Sequence, residues 1–407
     1  MMKRFHTMRR GAAAAAGLMG AALFVSCSEN KAPTAVPEPT ASAMSPSLER
    51  SPFPERTRPP IRHVFVLVLE NENYDQTFGP ASPATYLADS LPRRGALLTQ
   101  YHGTGHFSLD NYISMISGQA PDSATSADCG IYTNFVQTGT APFGQAVGNG
   151  CAYPTNVQTI ANQLTERGLT WRAYMEDMGN VPTREAATCG HVPIGTVDIT
   201  NHQLPNDQYA DRHNPFVYFH SIIDSPICQQ DVVPLTRLEA DLRDPGKTPN
   251  YVFITPNVCH DGHDTPCVDG EAGGLVSADA FLRTWVPRIT SSRAFRDDGL
   301  LMIIFDEAQG SDATACCNEQ SGPNVALPGR IGPGGGRTGA VFLSRFIRGG
   351  TVSNVGYNHY SMLKSVEDIF RLPYLGFAGQ PGLVPFGADV FTQPNSHRPV
   401  GSIEHGN

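Results

Sequence analysis

The sequence predicts an α/β protein with a largely parallel sheet that is buried on both faces. Short, continuously apolar runs recur along the chain, at residues 63–69, 216–220, 251–255, 300–305 and 339–344. Helical patterns, at 155–167 and 276–290, and glycine-rich segments separate these runs. Apolar strands without alternation, interleaved with helices, are typical of parallel sheets covered by helices on each side. With 407 residues, of which 40% are apolar, the chain is long enough for one large domain of this kind.

The overall charge restricts the kinds of partner. The formal net charge is −9 at pH 7, whereas binding to nucleic acid or to an acidic membrane needs clustered Lys and Arg. We therefore expect no nucleic-acid partner. The net charge does not exclude a small anionic substrate, provided that positive charge is concentrated at the site or is supplied by a metal ion.

The first 27 residues, with a basic start and an apolar stretch, are typical of an export signal. Cys27 follows small residues as in a bacterial lipobox, although Phe24 stands where Leu is more usual. Arg9 and Arg10 offer a twin-arginine alternative. We predict an exported protein, periplasmic or at the cell surface, anchored to the membrane through a lipidated Cys27.

Residues 28–60 are rich in Pro, Ser, Ala and Glu and have no apolar period, which predicts a disordered tether. Roughly 33 residues of coil reach on the order of 30 Å. A single folded domain is predicted from residue 61 to residue 407.

Eight cysteines remain when Cys27 is set aside, and an even number in an exported chain favours disulfides. The spacings suggest local loops from Cys129 to Cys151 and from Cys259 to Cys267, although about 105 connectivities are open for eight cysteines. A zinc-thiolate site is the poorer interpretation, because the chain has no Cys-x-x-Cys pair.

Polar side chains follow three of the predicted strands. Glu70 and Asn71 follow the first, the run Cys-His-Asp-Gly-His-Asp at 259–264 follows the third, and Asp306 and Glu307 follow the fourth. The carboxyl ends of parallel strands meet at one sheet edge, so these segments should converge on one cleft. Each residue alone has an ordinary structural explanation, such as a helix cap or a turn. Together they are oxygen and nitrogen ligands suited to a divalent cation.

Ser108 stands in the stretch GTGHFSLDNYISMISGQAP, residues 103–121. Periodic apolar residues follow it, as they do after the capping residue of an ordinary helix. It is also placed to be a nucleophile at the mouth of the sheet. From the residues alone both interpretations stay open.

Five motifs carry a family resemblance: LENENYDQTFG at 69–79, HFSLDNYISMISG at 106–118, ITPNVCHDGHD at 254–264, IIFDEAQGSD at 303–312 and YNHYSMLKSVEDIFRLPYLG at 357–376. In this order they resemble the bacterial phosphoesterase family that includes phospholipase C enzymes and exported acid phosphatases. TWRAYMEDM at 170–178 and DRHNPFVYF at 211–219 resemble the acid-phosphatase branch. The resemblance covers residues 61–380.

The resemblance implies an alkaline-phosphatase-like, three-layer α/β/α fold and an exported, metal-assisted phosphomonoesterase that forms a phosphoserine intermediate on Ser108. The expected substrate is a small-molecule or lipid-headgroup phosphomonoester. The alternatives are a phospholipase C-like phosphodiesterase and a surface lipoprotein that binds without catalysis.

The resemblance also implies roles for single residues. A principal divalent metal site is expected, with ligands at Glu70, Asn71, Ser108, Asp306 and Glu307, and Asn111 is expected to donate a hydrogen bond to a phosphoryl oxygen. Asp261, His263 and His359 lie where relatives place a second metal, or they contact phosphate or protonate the leaving alkoxide. His213 is a candidate phosphate contact or general acid, with a purely structural role as the alternative.

Overall fold

A computed structural model describes residues 59–392. The predicted signal peptide, the lipidation at Cys27 and the tether up to residue 58 lie outside the described residues. Within residues 59–392, no helix is both long and apolar enough to cross a membrane.

The main sheet has eight strands. In chain order they are β1 (His63–Leu69), β2 (Ala96–Leu98), β3 (Trp171–Met175), β4 (Val232–Pro234), β5 (Tyr251–Thr255), β6 (Gly299–Phe305), β7 (Ala340–Ser344) and β8 (Thr351–Ser353). Across the sheet the order is β8-β2-β7-β6-β1-β5-β3-β4. The neighbours of β1, namely β5 and β6, both pair with it in parallel.

Only β7 opposes the common strand direction. It pairs antiparallel with β6 on one side and with β2 on the other, whereas β3, β4, β5 and β8 each pair in parallel with a neighbour. The carboxyl ends of β1, β5 and β6 therefore lie side by side at one edge of the sheet. The sequence prediction of a largely parallel sheet is confirmed. The apolar run of β7 predicted a strand but not its antiparallel direction.

The α-helices are α1 (Tyr74–Phe78), α2 (Ser108–Ser117), α3 (Ile160–Glu166), α4 (His220–Ile223), α5 (Ile227–Asp231), α6 (Leu238–Leu242), α7 (Gly274–Ser291), α8 (Arg293–Asp298) and α9 (His359–Phe370). Apolar residues of α2, α3 and α9 share one buried cluster with Val64, Val66 and Val68 of β1. Those of α6, α7 and α8 share another with Phe65, Leu67 and Leu69. Alternate residues of β1 thus face opposite layers, which confirms the three-layer α/β/α prediction.

The sequence prediction was wrong at 216–220, where Pro215–Tyr218 is a 3₁₀-helix and α4 begins at His220. Pro215 removes a backbone donor, which disfavours a sheet strand at this place. The apolar run is nevertheless buried, because its aromatic residues pack into the core below α2. Short strands β2, β3, β4 and β8 were not predicted, and the helix predicted over 155–167 is shorter, at 160–166.

Four disulfides join the eight cysteines of the described chain: Cys129–Cys151, Cys189–Cys228, Cys259–Cys267 and Cys316–Cys317. The two local loops suggested by spacing are confirmed. The Cys259–Cys267 bond closes the loop that follows β5, and Cys316–Cys317 joins adjacent residues in the long segment between β6 and β7. Disulfides thus restrain loops at the sheet edge where the polar residues converge.

An ion pair joins the ends of β3 and β5. Nδ1 of His260 lies 2.9 Å from a carboxylate oxygen of Glu176, and Nε2 lies 3.4 Å from Glu271. Burial opposes the charged form of His260, but the hydrogen bonds and charges of Glu176 and Glu271 prevail and raise its pKa from 6.5 to about 9. The protonated imidazole therefore stabilises the folded state.

The His260→Gln variant should show the pH window of this contribution. The raised pKa means that the stabilisation is complete below about pH 6.5 and is lost as the pH rises through about 9. We expect wild type to exceed His260→Gln by about 1–3 kcal/mol in free energy of unfolding at pH 6, and by much less at pH 10. Chemical denaturation at both pH values measures this, with Glu176→Gln expected to lose the larger share of the pH-dependent part, since Glu271 keeps the rest. A difference that is equal at both pH values would contradict the assignment.

Candidate active site

Glu70 lies at the centre of the polar cluster at the sheet edge. It directly follows β1 and is fully buried. Its Oε2 accepts hydrogen bonds from the Ser108 hydroxyl at 2.8 Å and from the Asn71 side-chain amide at 2.9 Å, and its Oε1 accepts one from the Tyr112 hydroxyl at 2.5 Å. One carboxylate therefore connects the end of β1 with the first turns of α2.

Ser108 is the first residue of α2, and its hydroxyl does not cap the helix. Phe107 occupies the cap position, with φ at 77° and no side-chain cap hydrogen bond. A positive φ at a bulky residue is strained, and such strain is concentrated at functional sites. The Ser108 hydroxyl is thereby left to face Glu70. Of the two interpretations open from the sequence, the geometry supports a reactive hydroxyl at the start of a helix.

Asn111 holds the loop before Ser108 in place. Its Oδ1 accepts hydrogen bonds from the backbone amides of Thr104 and Gly105 at 2.8 and 2.9 Å, and its Nδ2 donates to the carbonyls of Gly105 and Phe107 at 3.0 and 3.1 Å. Both hydrogens of the amide are thus engaged, and the side chain is fully buried. The expected hydrogen bond from Asn111 to a phosphoryl oxygen is not provided by this arrangement, because the donors are already used.

Asp306 directly follows β6 and is fully buried. Its Oδ1 accepts hydrogen bonds from the backbone amides of Asn71 at 2.9 Å and Glu307 at 2.6 Å, whereas its Oδ2 is buried without a hydrogen-bond partner. The expected ligand Glu307 points elsewhere and forms an ion pair with Nδ1 of His106. Each carboxylate thus has one buried oxygen without a hydrogen bond, but that of Glu307 is in ion-pair contact with His106, whereas Oδ2 of Asp306 has no such partner.

The predicted second group of Asp261, His263 and His359 is not assembled. His359 donates from Nε2 to the carbonyl of Asp306 at 2.5 Å, and its Nδ1 accepts from the Tyr101 hydroxyl at 3.1 Å. Both ring nitrogens are therefore engaged, and burial lowers the pKa of His359 to about 4. The side chain of His263 is 45% exposed and lies 3.4 Å from Asp264.

Asp261 instead meets Glu70 and His213. Ligand atoms of these three buried residues all lie within 4.8 Å of one another. The ring nitrogens of His213 lie 3.5 Å from Glu70 and 3.6 Å from Asp261, too far and too poorly aligned for hydrogen bonds, and both are unpartnered. The Tyr112 ring stacks on His213 at a centroid distance of 5.3 Å, which fixes the imidazole plane.

Burial dominates the electrostatics of this cluster. It raises the pKa values of Glu70, Asp261 and Asp306 well above their ordinary values, and neighbouring carboxylates raise them further. Burial also lowers the pKa of His213 well below its ordinary value, with a further contribution from the charge of Arg212. Three carboxylates and a neutral imidazole share this buried site, and Arg212 is a single positive charge beside Glu70 and Asp261, so the negative charge is compensated only in part.

This donor set fits a divalent cation. Carboxylate oxygens and a neutral imidazole are the ligands of hard and borderline metals, and a bound cation reverses the cost of burying the carboxylates. The unpartnered Oδ2 of Asp261 and one of the two unpartnered nitrogens of His213 are buried atoms that such an ion would satisfy, and Oδ2 of Asp306 is a further unpartnered carboxylate oxygen of the same cluster. Asn71 and Ser108 adjoin the same Glu70 carboxylate on its other side.

Three contributors were missed by the sequence analysis: Tyr112, His106 and Arg212. Tyr112 stands four residues after Ser108, one helical turn on, but its apolar ring was counted as core. His106 donates from Nε2 to the carbonyl of Asp312 at 2.8 Å. Burial opposes its protonation, yet Glu307 raises its pKa above the ordinary value. Arg212 adjoins the metal-ligand candidates, and the charges of Asp128, Glu70 and Asp261 offset the lowering of its pKa by burial.

Comparison with known proteins agrees with the family expectation. The chain is 25% identical to a probable acid phosphatase of Kluyveromyces lactis over 77% of its length, and 26% identical to a phosphate-repressible acid phosphatase of Penicillium chrysogenum over 76%. It spans only 59% and 58% of those two proteins. A phosphatidylinositol-3-phosphatase of Mycobacterium tuberculosis is 25% identical, with 79% of this chain and 80% of that protein covered.

Among solved structures, a protein in the alkaline phosphatase superfamily from Vibrio parahaemolyticus matches with a TM-score of 0.43 and 14% identity, covering 78% of this chain and 69% of the other. The model of the Phosphoesterase family matches residues 83–373, which include Ser108, His213, Asp261 and Asp306. This match covers most of the chain and confirms the family predicted from the sequence. The protein belongs to the Phosphoesterase family.

Proposed function

We propose that this protein is an exported, metal-dependent phosphomonoesterase of the acid-phosphatase type. The observation that carries the proposal is the Ser108 hydroxyl, which is freed from helix capping and lies 2.8 Å from the buried Glu70. The acid phosphatases to which the chain is similar support a monoester substrate, and the family match supports phosphoester chemistry.

One divalent cation is proposed, held by Glu70, Asp261 and His213 with Asp306 beside them, and a second would be placed beside Ser108 and Asn71 on the other side of Glu70. When bound, the cation supplies positive charge that stabilises negative charge developing on oxygen during phosphoryl transfer. The identity of the metal is not fixed by the ligands, since carboxylate and imidazole donors suit several divalent ions.

The residues of the chain orient the nucleophile. The Ser108 hydroxyl donates its hydrogen bond to Glu70, so the oxygen lone pairs face the space where a phosphoryl group would lie. The start of α2 places the positive end of the helix dipole at the same point, which favours an anion. The hydrogen bonds from the Asn111 side chain to the backbone of Thr104, Gly105 and Phe107 hold the first turn of α2 in place.

The reaction would run in two displacements. The Ser108 oxygen bonds to phosphorus as its proton passes to Glu70, and the bond from phosphorus to the alcohol oxygen breaks, with that oxygen taking up a proton from solvent water. Water then hydrolyses the phosphoserine, which releases phosphate and restores Ser108. Tyr112, which donates to the other oxygen of Glu70, holds that carboxylate in place during both steps.

Export and a lipid anchor belong to the same proposal. The signal-like residues 1–27 and the following Pro-rich stretch support them. Mass spectrometry of the mature protein would test the anchor: acyl chains on Cys27 are expected, and an intact signal or cleavage well beyond residue 27 would contradict it.

The Ser108→Ala variant should lower turnover of a phosphomonoester by at least about a thousandfold, because it removes the attacking oxygen. Steady-state assays measure this, and acid-quenched wild-type protein should carry phosphate on the Ser108 peptide. Ser117→Ala is the matched control, since the Ser117 hydroxyl donates to the Ile113 carbonyl and accepts from the Gln119 backbone amide at the far end of the same helix. Near-wild-type turnover in a folded Ser108→Ala protein would overturn the assignment.

Removal of divalent metal should abolish activity, and re-addition should restore it. Asp261→Asn should weaken metal affinity by at least about tenfold, because it takes a negative donor from the site. Titration of the metal-free protein, with elemental analysis beside activity, measures both effects. Asp264→Asn makes the same chemical change on the same loop in a partly exposed carboxylate and should keep wild-type affinity. Full activity in a metal-free preparation would require a different mechanism.

Phosphomonoesters should be preferred to phosphodiesters by at least about tenfold in kcat/KM, which corresponds to about 1.4 kcal/mol of transition-state stabilisation. The physical reason is that a cation and Arg212 favour the extra charge of a terminal phosphoryl group. We would compare an aryl phosphate, a phosphoinositide monophosphate and phosphatidylcholine under one set of conditions. Highest efficiency on phosphatidylcholine would indicate a phospholipase C-like diesterase instead.

A further inference from the structure

A glycine-rich segment between β6 and β7 packs against the loop that leads to Ser108. Gly335 donates its backbone amide to the carbonyl of Gly103 at 3.0 Å, and Gly103 donates in turn to the carbonyl of Gly336 at 3.0 Å. A β-carbon at Gly335 would lie 2.2 Å from the carbonyl oxygen of Gly105, so no other residue fits there. The segment is therefore fixed to the nucleophile loop rather than free at the surface.

This segment carries Arg330 over the residue that precedes Ser108. The guanidinium carbon of Arg330 lies 3.9 Å from the centre of the Phe107 ring, the distance of a close cation–π contact. Both residues have positive φ, 66° for Arg330 and 77° for Phe107. Two strained non-glycine residues stacked on each other beside a nucleophile indicate an arrangement kept for function.

The guanidinium of Arg330 has unused donor capacity. Its Nη1 is buried and has no hydrogen-bond partner. The charge of Arg330 acts on Asp110 and Asp128, whose pKa values are raised by burial and lowered in part by Arg330, but neither carboxylate is hydrogen-bonded to it. Asp128 accepts from the backbone amide of Leu109 instead, at 3.0 Å. A buried N–H without an acceptor is costly unless a ligand supplies one.

We infer that Arg330 is a substrate-binding residue of this site, and that its free N–H group contacts the terminal oxygens of a phosphomonoester bound at Ser108. The inference rests on the proposed function for the identity of the ligand. A guanidinium fork suits phosphate oxygens, and a terminal phosphoryl group offers one more charged oxygen than a diester does. Arg330 thus contributes selectivity for monoesters, together with binding of the released phosphate.

The test compares metal-loaded wild type with Arg330→Met, Arg330→Lys and the control Arg288→Met. Arg330→Met keeps a straight apolar stem on Phe107 and removes the charge, and Arg330→Lys returns the charge without the fork. Arg288 stacks on Trp285 at 4.8 Å on the opposite helical layer, so its variant makes the same chemical change away from the site. All variants keep a β-carbon at position 330, so the backbone strain there is unchanged.

Arg330→Met should lower kcat/KM for an aryl phosphate monoester by about 10–100-fold, the loss expected for a charge-assisted hydrogen bond. The kcat/KM for an aryl diester with the same leaving group should fall much less, so the ratio of monoester to diester kcat/KM should decrease. The inhibition constant of inorganic phosphate should rise by a similar factor, Arg330→Lys should recover part of both losses, and Arg288→Met should match wild type. Thermal unfolding and metal affinity should be unchanged, which separates substrate binding from a structural role.

Equal losses on monoester and diester, or an unchanged inhibition constant for phosphate, would overturn the inference while leaving the proposed function intact. If wild type itself lacks monoesterase activity, the proposed function fails instead. Calorimetric binding of inorganic phosphate to the metal-loaded proteins then decides the matter, since weaker binding by Arg330→Met supports the inference and equal binding overturns it.

Discussion

The burial of negative charge at the carboxyl edge of the sheet is the constraint on which the rest of the site depends. Glu70, Asp261 and Asp306 are each fully buried, and Glu70 lies between the other two. Removing one carboxylate from water costs several kcal/mol even after relaxation, so three in one place are tolerated only with positive charge among them. The neutral His213 does not supply that charge. The buried Arg212 supplies part of that charge to Glu70 and Asp261, and the remaining deficit supports the cation proposed above.

Backbone hydrogen bonds around the site hold those carboxylates in place. The backbone amide of Glu70 donates to the carbonyl of Asp261 at 2.8 Å, and that of Asp306 donates to the carbonyl of Leu69 at 2.9 Å, so the three strand ends are joined to one another. Asn71 adopts φ of 52°, which turns the chain so that its amide reaches Asp306. Each of these contacts is made by a backbone amide just beyond the end of a strand, where it is no longer needed for the hydrogen bonds of the sheet.

The parts of the fold that were predictable are those set by local patterns. The continuous apolar runs of β1, β5, β6 and β7 and the long helix α7 all appear where expected. The ligand candidates Glu70 and Asp306 were predictable because they directly follow such strands. The direction of β7 was not predictable, because an apolar run does not reveal whether its strand pairs parallel or antiparallel with its neighbours. The three-residue strands β2, β4 and β8 are too short to show a period.

The positions of the residues that complete the site could not be derived from local patterns, for a different reason. His213 is the last residue of a 3₁₀-helix in the long segment between β3 and β4 and was a candidate only through the family resemblance, and Arg330 lies in the long segment between β6 and β7. The position of such residues depends on tertiary contacts, and nothing in their sequence neighbourhood specifies the partner. His359 shows the converse case. It stands at the start of α9 in one of the motifs that carry the family resemblance, yet both its ring nitrogens contact other groups, the carbonyl of Asp306 and the Tyr101 hydroxyl.

The start of α2 shows how a capping position becomes a reactive one. In an ordinary helix a serine here would accept a hydrogen bond from an amide two or three residues on, and its oxygen would be occupied. Here the cap position falls to Phe107, which has no side-chain oxygen, and the loop before it is held by Asn111 from within the helix. Asn111, one helical turn after the cap position, therefore stabilises the start of the helix in place of a capping side chain. Ser108 keeps a defined place, an oxygen that accepts no hydrogen bond and a buried carboxylate at 2.8 Å, and these three features support the nucleophilic role proposed for it.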